Sequence, residues 1–428
     1  MSTATGTPTP TGVVRNRGWQ VTFVGMGINL ALGVLYSWSV ISKAVPADWG
    51  WSEAGRALPY SVACLVFSLT MVPAGRLQDR VGPRAVATVG GALVGAGLIF
   101  ASLTSSLFAY IVGFGVLAGA GIGAGYAATT PAAVKWFPAA RTGLVTGLVV
   151  AGFGLSSVYI APLANALIRT RGVPATMLIF GIGFLVVVIA LAQWLRVPPA
   201  GFAPAGSTPA MAAAARKGDF TPAEMLRTWQ FYVLWFMLVC GAGAGLMVIS
   251  KLVKMVEVQT GVTLGFLLVA ILALGNGGGR IAAGILSDRV GRKPTMLVVY
   301  VAQAAAILLL AGARPDNALG TAGVMAALSA LIGANYGANL SLLPSVTKDY
   351  YGLKNFGVNY GLVFTAWGLG GFTLSLLAGA VFDRTQSFAF AYYGSAGMLV
   401  VAACATLLLK PPQRPQRSAA GEVVSCEF

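Results

Sequence analysis

The stretch that decides the fold runs from Leu274 to Lys293 and reads LGNGGGRIAAGILSDRVGRK. It places Arg280 in an apolar segment that carries no other charge between Glu257 and Asp288. A helix laid across a bilayer holds this cation at membrane depth, where inserting an arginine costs roughly 2.5–3.5 kcal/mol. Because no acidic residue of the sequence falls at that depth, we interpret the partner of Arg280 as an anionic substrate. Alternatively, the side chain reaches the membrane surface and meets helix-end carbonyls there.

The composition predicts an integral membrane protein. Of 428 residues, 57% are hydrophobic and only 9% are charged, which is typical of a chain that crosses a bilayer repeatedly. The uncharged intervals predict twelve transmembrane helices, because the interval from 85 to 134 is long enough for two. Most Lys and Arg residues fall in the loops of one side, which predicts that both termini are cytoplasmic. We expect the chain in the plasma (inner) membrane of a bacterial-type cell.

Several function classes lack the residues that they need. The chain has no histidine and its four cysteines are not spaced as disulfide or metal pairs, so we expect no metal, no cofactor and no enzymatic activity. No phosphate-binding loop of an ATP-driven pump occurs, nor a repeat or domain typical of a channel or receptor. The net charge of +16 is explained by basic loops against an anionic leaflet, so we expect no nucleic-acid partner. We expect a monomer in the lipid bilayer.

The two halves of the chain repeat each other. The segment GRLQDRVGPR at Gly75–Arg84 recurs 209 residues later as GILSDRVGRK at Gly284–Lys293. Two further pairs recur in the same order, at offsets of 210 and 214 residues: Tyr126 with Tyr336, and Phe153 with Trp367. Three ordered matches at nearly one spacing indicate two copies of one six-helix unit.

The repeat and the longest polar interruption predict the domain organisation. The interruption contains prolines, small residues and the basic pair Arg216 and Lys217, as a linker between two bundles would. We expect a disordered cytoplasmic tail at residues 1–17, a six-helix bundle at 18–196, a cytoplasmic linker at 197–228, a second bundle at 229–410, and a cytoplasmic tail at 411–428.

The repeated motif G-x-L-x-D-R-x-G-R/K resembles the signature of the major facilitator superfamily. The resemblance implies an all-α integral membrane fold, with twelve transmembrane helices in two pseudo-symmetric six-helix bundles and a site between them at the midplane. At this motif, we expect Asp79 and Asp288 to cap neighbouring helices and to pair with arginines across the cytoplasmic face, latching the outward-open state. Together with Arg80 and Arg289, they are the candidate gating residues. Alternatively, both loops are only solvated basic turns.

Four further segments carry a narrower resemblance. They are LYSWSV at Leu35–Val40, Tyr126 followed by KWFP at Lys135–Pro138, NYGAN at Asn335–Asn339, and NYGLVFTAWG at Asn359–Gly368. These segments resemble the oxalate/formate antiporter family, which is similar in layout to the animal monocarboxylate transporters. The resemblance extends over most of the chain and implies transport of small carboxylates.

The repeat also predicts where the site lies. A pseudo-two-fold axis places Tyr126 opposite Tyr336 and Phe153 opposite Trp367, which would form a small aromatic cage with two hydroxyls for an anion. Asn276 lies four residues before Arg280, so its amide lies on the same helix face as the arginine. The candidate substrate-binding residues are Arg280, Asn276, Tyr126, Tyr336, Trp367, Phe153, Phe364, Asn339 and Tyr36. The aromatic and amide residues could instead serve packing or anchor the helices at the membrane interface.

Two departures from the resembled families bear on the substrate. In the animal monocarboxylate transporters, the corresponding helix resembles an Asp followed four residues later by an Arg. This chain has Asn276 before Arg280, and the missing acid argues against an Asp-based proton switch. The dicarboxylate exchanger of the family has Lys in the eleventh span where this chain has Trp367, which leaves one buried cation for one negative charge. We therefore expect a transporter of small monocarboxylates such as lactate, pyruvate or formate, in symport with a proton. The alternative is an oxalate/formate-type antiporter that exchanges its substrate for a counter-anion.

Overall fold

The structure describes most of the chain. It is a computed structural model that covers residues 16–199, 202, 204, 219–261 and 266–413. The predicted tails at 1–17 and 411–428 lie largely outside the described residues, and so do residues 200, 201, 203 and 205–218 of the predicted linker at 197–228. The exact ends of the two bundles therefore stay predictions.

Within the described residues, the chain forms twelve long helices. They are α1 (Gly18–Lys43), α2 (Glu53–Val81), α3 (Pro83–Ser102), α4 (Leu107–Val134), α5 (142–171), α6 (173–192), α7 (Trp229–Thr260), α8 (Phe266–Val290), α9 (Arg292–Ala311), α10 (Ala322–Tyr351), α11 (Phe356–Thr385) and α12 (Ala389–Leu408). The stretch Thr142–Ala192 turns at Gly172, whose φ of +79° favours glycine and separates α5 from α6. Ten helical stretches, with α5 and α6 counted as one, are long and apolar enough to cross a membrane. α11 completes the predicted twelve.

Glycines allow α8 to lie close to its neighbours. A methyl group on Gly279 would overlap the backbone of Ala334 in α10, and one on Gly277 would overlap Leu155 in α5. Small residues permit such close approach of helices in membranes. The glycine run therefore packs α8 between α5 and α10, and this packing holds Arg280 near the centre of the fold.

The two bundles meet along two seams. α2 packs against α11 and α5 packs against α8, in both cases through pairs of glycines: Gly75 with Gly357, and Gly143 with Gly284. Both pairs lie at the end of the fold that carries the repeated motif loops, which we name the motif face. The predicted all-α fold of two six-helix bundles is confirmed.

Candidate substrate-binding site

Arg280 lies on α8 and has no exposed surface. Its Nε donates to Oδ1 of Asn276 at 2.9 Å, and its Nη1 donates to the carbonyl of Val150 in α5 at 2.6 Å. Its Nη2 is also buried but has no hydrogen-bond partner. The interpretation in which Arg280 reaches the membrane surface is wrong, because the guanidinium points across the seam to α5. One guanidinium nitrogen is left for a ligand.

The charge of Arg280 has no counter-charge in the described part of the chain. The carboxylates that form ion pairs there do so with Lys135, Arg292 and Lys348, all at the motif face. The contacts from Asn276 and Val150 supply dipoles only. A buried charge without its partner costs roughly 3–5 kcal/mol, so this arrangement favours an anionic ligand.

Aromatic side chains enclose a small space beside Arg280. In this conformation the surrounding side chains leave no room for a water molecule, and the lining consists of Tyr36, Phe67, Tyr126, Phe153, Arg280, Leu340, Phe364 and Trp367. The Phe67 ring lies at the centre of the lining, with its centroid 5.4 Å from that of Tyr126 and 5.3 Å from that of Trp367. All of these side chains except Tyr36 are buried. A ligand therefore enters only when the lining moves apart, and the rings around Arg280 then suit a compact anion with a small apolar part.

A chain of hydrogen bonds joins the two bundles beside this space. The indole N–H of Trp367 in α11 donates to the hydroxyl of Tyr336 in α10 at 2.9 Å. That hydroxyl lies 3.0 Å from the hydroxyl of Tyr36, which belongs to a 3₁₀ segment of α1 at Gly33–Ser37. Both Tyr336 and Trp367 therefore already have partners within the protein.

Tyr126 differs from its repeat counterpart. The Tyr126 ring packs edge-on against Phe153 at 5.6 Å, but its buried hydroxyl has no hydrogen-bond partner. The symmetry of the sequence thus locates both tyrosines near the site, whereas the hydrogen bonds leave only the Tyr126 hydroxyl available.

In this conformation Asn339 does not face the space, so its contact with substrate stays a prediction. Its Nδ2 donates to the carbonyl of Asn335 at 3.0 Å and to Oε1 of Gln303 in α9 at 3.4 Å. The neighbouring residue, Leu340, lines the space instead. Successive helical residues point about 100° apart, so the rotation of α10 turns the amide into the packing of the second bundle.

Phe67 and Leu340 are the lining residues that sequence reasoning missed. Phe67 stands 209 residues before Asn276, at the offset of the motif repeat, so the repeat contains a signal for it. Leu340 stands four residues after Tyr336 and therefore on the same helix face. Both signals become useful only when the position of Arg280 relative to α10 is known.

The two motif aspartates lie at the motif face, and each caps a helix of the other bundle. Asp288 accepts from the N–H groups of Gly143 and Leu144 at 2.9 and 2.8 Å, at the start of α5. Asp79 accepts from the N–H of Val358 at 3.2 Å, at the start of α11. Carboxylates are favourable there because the first N–H groups of a helix lack partners. Both seams are thus closed at the motif face.

Of the two aspartates, only Asp288 pairs with an arginine, and that arginine is neither Arg80 nor Arg289. Asp288 pairs with Arg292 of its own bundle at 2.8 Å, and the nearest cation to Asp79 is Lys135, at 3.7 Å. Arg80 and Arg289 are exposed and form no ion pair in the part of the chain that the structure describes. Each follows its aspartate by one residue on the helix and therefore points about 100° away from it.

The fold and the site define a membrane transporter, and comparison with known proteins gives its family. The sequence profile of the Major Facilitator Superfamily matches residues 21–324 and 258–425. The chain belongs to the major facilitator superfamily and is a transporter of that superfamily.

Two carboxylate-transporter relatives align with most of this chain. The chain is 31% identical over 360 residues to the oxalate:formate antiporter of Oxalobacter formigenes, covering 83% of this chain and 82% of that protein. It is 27% identical over 401 residues to human monocarboxylate transporter 11, covering 92% of this chain and 83% of that protein. The resemblance to the oxalate/formate antiporter family is confirmed.

Solved structures support the fold. The E. coli fucose:proton symporter FucP superposes with a TM-score of 0.70 at 15% sequence identity, covering 94% of this chain and 100% of that chain. At this identity, the likeness concerns the fold alone.

Proposed function

We propose that this chain is a secondary transporter that moves small monocarboxylates of the size of lactate, pyruvate or formate by alternating access, together with a proton. The observation that carries the proposal is the unpartnered Nη2 of Arg280, buried beside a small aromatic space. A carboxylate supplies both the charge and the acceptor atoms that this nitrogen lacks. The transporter acts as a monomer in the inner membrane with both termini in the cytoplasm, and it catalyses no chemical reaction.

A single negative charge fits the lining better than two. Arg280 is the one cation among the residues that line the space, and the rest of the lining is aromatic or aliphatic apart from phenol hydroxyls. The polar group of Trp367 is occupied by Tyr336. A second carboxylate would therefore face rings without a counter-charge, which is costly in a low dielectric. The names of the two relatives, an oxalate:formate antiporter and a monocarboxylate transporter, support a small carboxylate as substrate.

Proton coupling is assigned to the substrate. The sequence has twelve acids, none in the middle of an apolar span, and no histidine that would titrate near neutral pH. The carboxylate beside Arg280 can bind as an anion and leave with a proton, so no acidic side chain at the midplane is required. The competing candidate is obligate exchange of carboxylates, which the 31% identity to an oxalate:formate antiporter favours.

Replacement of the buried cation tests the proposal. We expect Arg280→Gln to weaken substrate binding roughly 100-fold or more, because loss of a buried charge pair costs about 3–5 kcal/mol. Arg280→Lys should also fail substantially, since an ammonium cannot reproduce the planar guanidinium contacts. The control is Arg169→Gln, which removes an exposed arginine from α5. Unchanged affinity in Arg280→Gln would overturn the proposal.

Uptake into proteoliposomes distinguishes proton symport from obligate carboxylate exchange. Uptake and counterflow of labelled lactate, pyruvate, formate and oxalate identify the substrate. For symport, an inward proton gradient accelerates uptake, and a protonophore abolishes that acceleration but leaves exchange intact. Uptake that ignores the gradient and requires internal carboxylate would establish the antiporter instead.

A further inference from the structure

Tyr360 lies close to the proposed site and has no role in the description so far. It is 1% exposed on α11, and its hydroxyl is buried without a hydrogen-bond partner. Its ring centroid is 5.6 Å from that of Phe364, while the Tyr126 centroid lies 5.5 Å from the same ring. The Tyr360 and Tyr126 hydroxyls interact with each other without forming a hydrogen bond of good geometry, and both lie within electrostatic reach of Arg280.

Three buried polar groups that lack a well-formed hydrogen bond converge in this region. They are Nη2 of Arg280 on α8, the Tyr126 hydroxyl on α4 and the Tyr360 hydroxyl on α11. A buried polar group without a partner costs about 1–3 kcal/mol, so three such groups in one place indicate a ligand that satisfies them together. All three can donate hydrogen bonds. A carboxylate offers about four lone-pair positions and donates none, which makes it the matching partner.

The hydroxyl of Tyr336 is not equivalent to these groups. It already accepts from Trp367 and contacts the Tyr36 hydroxyl at 3.0 Å. The tyrosine pair that the repeat suggests, Tyr126 with Tyr336, is therefore not the pair whose hydroxyls are available. The available pair is Tyr126 with Tyr360.

We propose that Tyr360 is a substrate-binding residue, and that it, Tyr126 and Nη2 of Arg280 together hold the substrate carboxylate. This assignment rests on the proposed function and deepens it by giving the substrate an orientation. α11 begins at the motif face with Phe356, so Tyr360 lies nearer that face than Trp367 does. The carboxylate consequently lies toward the motif face, and the apolar part of the substrate packs against the Phe67, Phe153 and Trp367 rings.

The position of Tyr360 also connects the substrate to the closure of a seam. It follows Val358 by two residues, and the N–H of Val358 is the group that Asp79 caps. A ligand bound to Tyr360 therefore acts on the helix end that closes the α2–α11 seam.

The test removes single hydroxyls. Tyr360→Phe should raise the half-saturating concentration of the transported monocarboxylate about tenfold, as expected for one hydrogen bond to a charged acceptor. The melting temperature of the empty protein should change little, because the lost hydroxyl makes no hydrogen bond of good geometry there. The stabilisation that the monocarboxylate gives to the wild-type protein should shrink in the variant.

Tyr110→Phe is the matched control. Tyr110 is also fully buried with an unpartnered hydroxyl, but it lies near the other end of α4, among Trp38, Trp49 and Trp51. Its substitution should leave uptake unchanged. Normal half-saturation in Tyr360→Phe, with an effect in Tyr126→Phe, would overturn only the role of Tyr360. Wild-type protein that takes up none of the four acids would overturn the proposed function as well.

Discussion

The two copies of the motif close their seams with unequal contacts. Asp288 accepts two backbone N–H bonds at 2.8–2.9 Å and pairs with Arg292 at 2.8 Å. Asp79 accepts from the N–H of Val358 at 3.2 Å, has a further contact with the N–H of Gly357, and has Lys135 at 3.7 Å. One sequence motif therefore forms a strong latch between α8 and α5 and a weak latch between α2 and α11.

The residues around each latch add to the difference in strength between the two. At the strong latch, Arg292 also binds Asp349 at 2.9 Å, and Lys348 reaches across the seam to Thr142 at 3.1 Å. The weak latch borders a cavity of about 670 Å³. Beside it, both polar atoms of the buried Gln78 side chain lack partners. Because water and side chains have room to move there, we expect the α2–α11 seam to separate first when the motif face opens.

The largest effect is expected for Asp288→Asn. The amide keeps one acceptor but loses the charge, one of the two backbone bonds and the ion pair with Arg292. A hydrogen bond to a charged group is worth about 1.5–3 kcal/mol. We expect the ratio of closed to open α5–α8 seam to fall roughly 100-fold, which is near the upper end of the changes that conformational coupling produces. Spin labels at the exposed positions 141 and 289 measure the opening of this seam. Unchanged label distances would show that Asp288 is not a latch.

A smaller effect is expected for Asp79→Asn. Long backbone contacts and one loose ion pair are weakened, so we expect a loss of about 1 kcal/mol, or roughly fivefold in the ratio of closed to open seam. Labels at the exposed positions 80 and 354 report on the α2–α11 seam. An effect equal to that of Asp288→Asn would contradict the ranking of the two latches.

Much of the fold and the chemical character of the site could be predicted from sequence. Uncharged intervals and a repeat of about 210 residues are visible in one chain, and so is Arg280, because a cation in an apolar span contradicts its surroundings. The sequence did not predict which residues of α10 face the space. Asn339 and Leu340 differ by one position, and only the packing of α10 decides which of them faces the space.

Hydrogen-bond availability could not be predicted either. Tyr336 and Tyr360 both read as buried tyrosines in family-like segments, and the repeat favours Tyr336. Their difference depends on Trp367 and Tyr36, which come from distant parts of the chain. The cation that pairs with Asp288 could not be chosen from sequence for a similar reason, because Arg289 and Arg292 are both motif residues and helix phase alone separates them.

The smallest effect is expected from making the weak latch resemble the strong one. The motif repeat places Pro83 where the second copy has Arg292, so Asp79 lacks a cation four residues later. The intervening turns match, since Gly82 and Gly291 have φ values of +91° and +98°. An arginine at position 83 should therefore reach Asp79 as Arg292 reaches Asp288.

We expect Pro83→Arg to raise the ratio of closed to open α2–α11 seam about twofold to fivefold, since a partly exposed ion pair contributes about 0.5–1 kcal/mol. Lys135 already stands near Asp79, and repulsion between the two cations keeps the gain small. The gain should decrease in high salt, which screens exposed charges, and it should vanish when Asp79 is replaced by Asn. Pro83→Gln is the control for loss of the ring. If that variant closes the seam equally well, then proline geometry, and not the missing cation, makes this latch the weaker one.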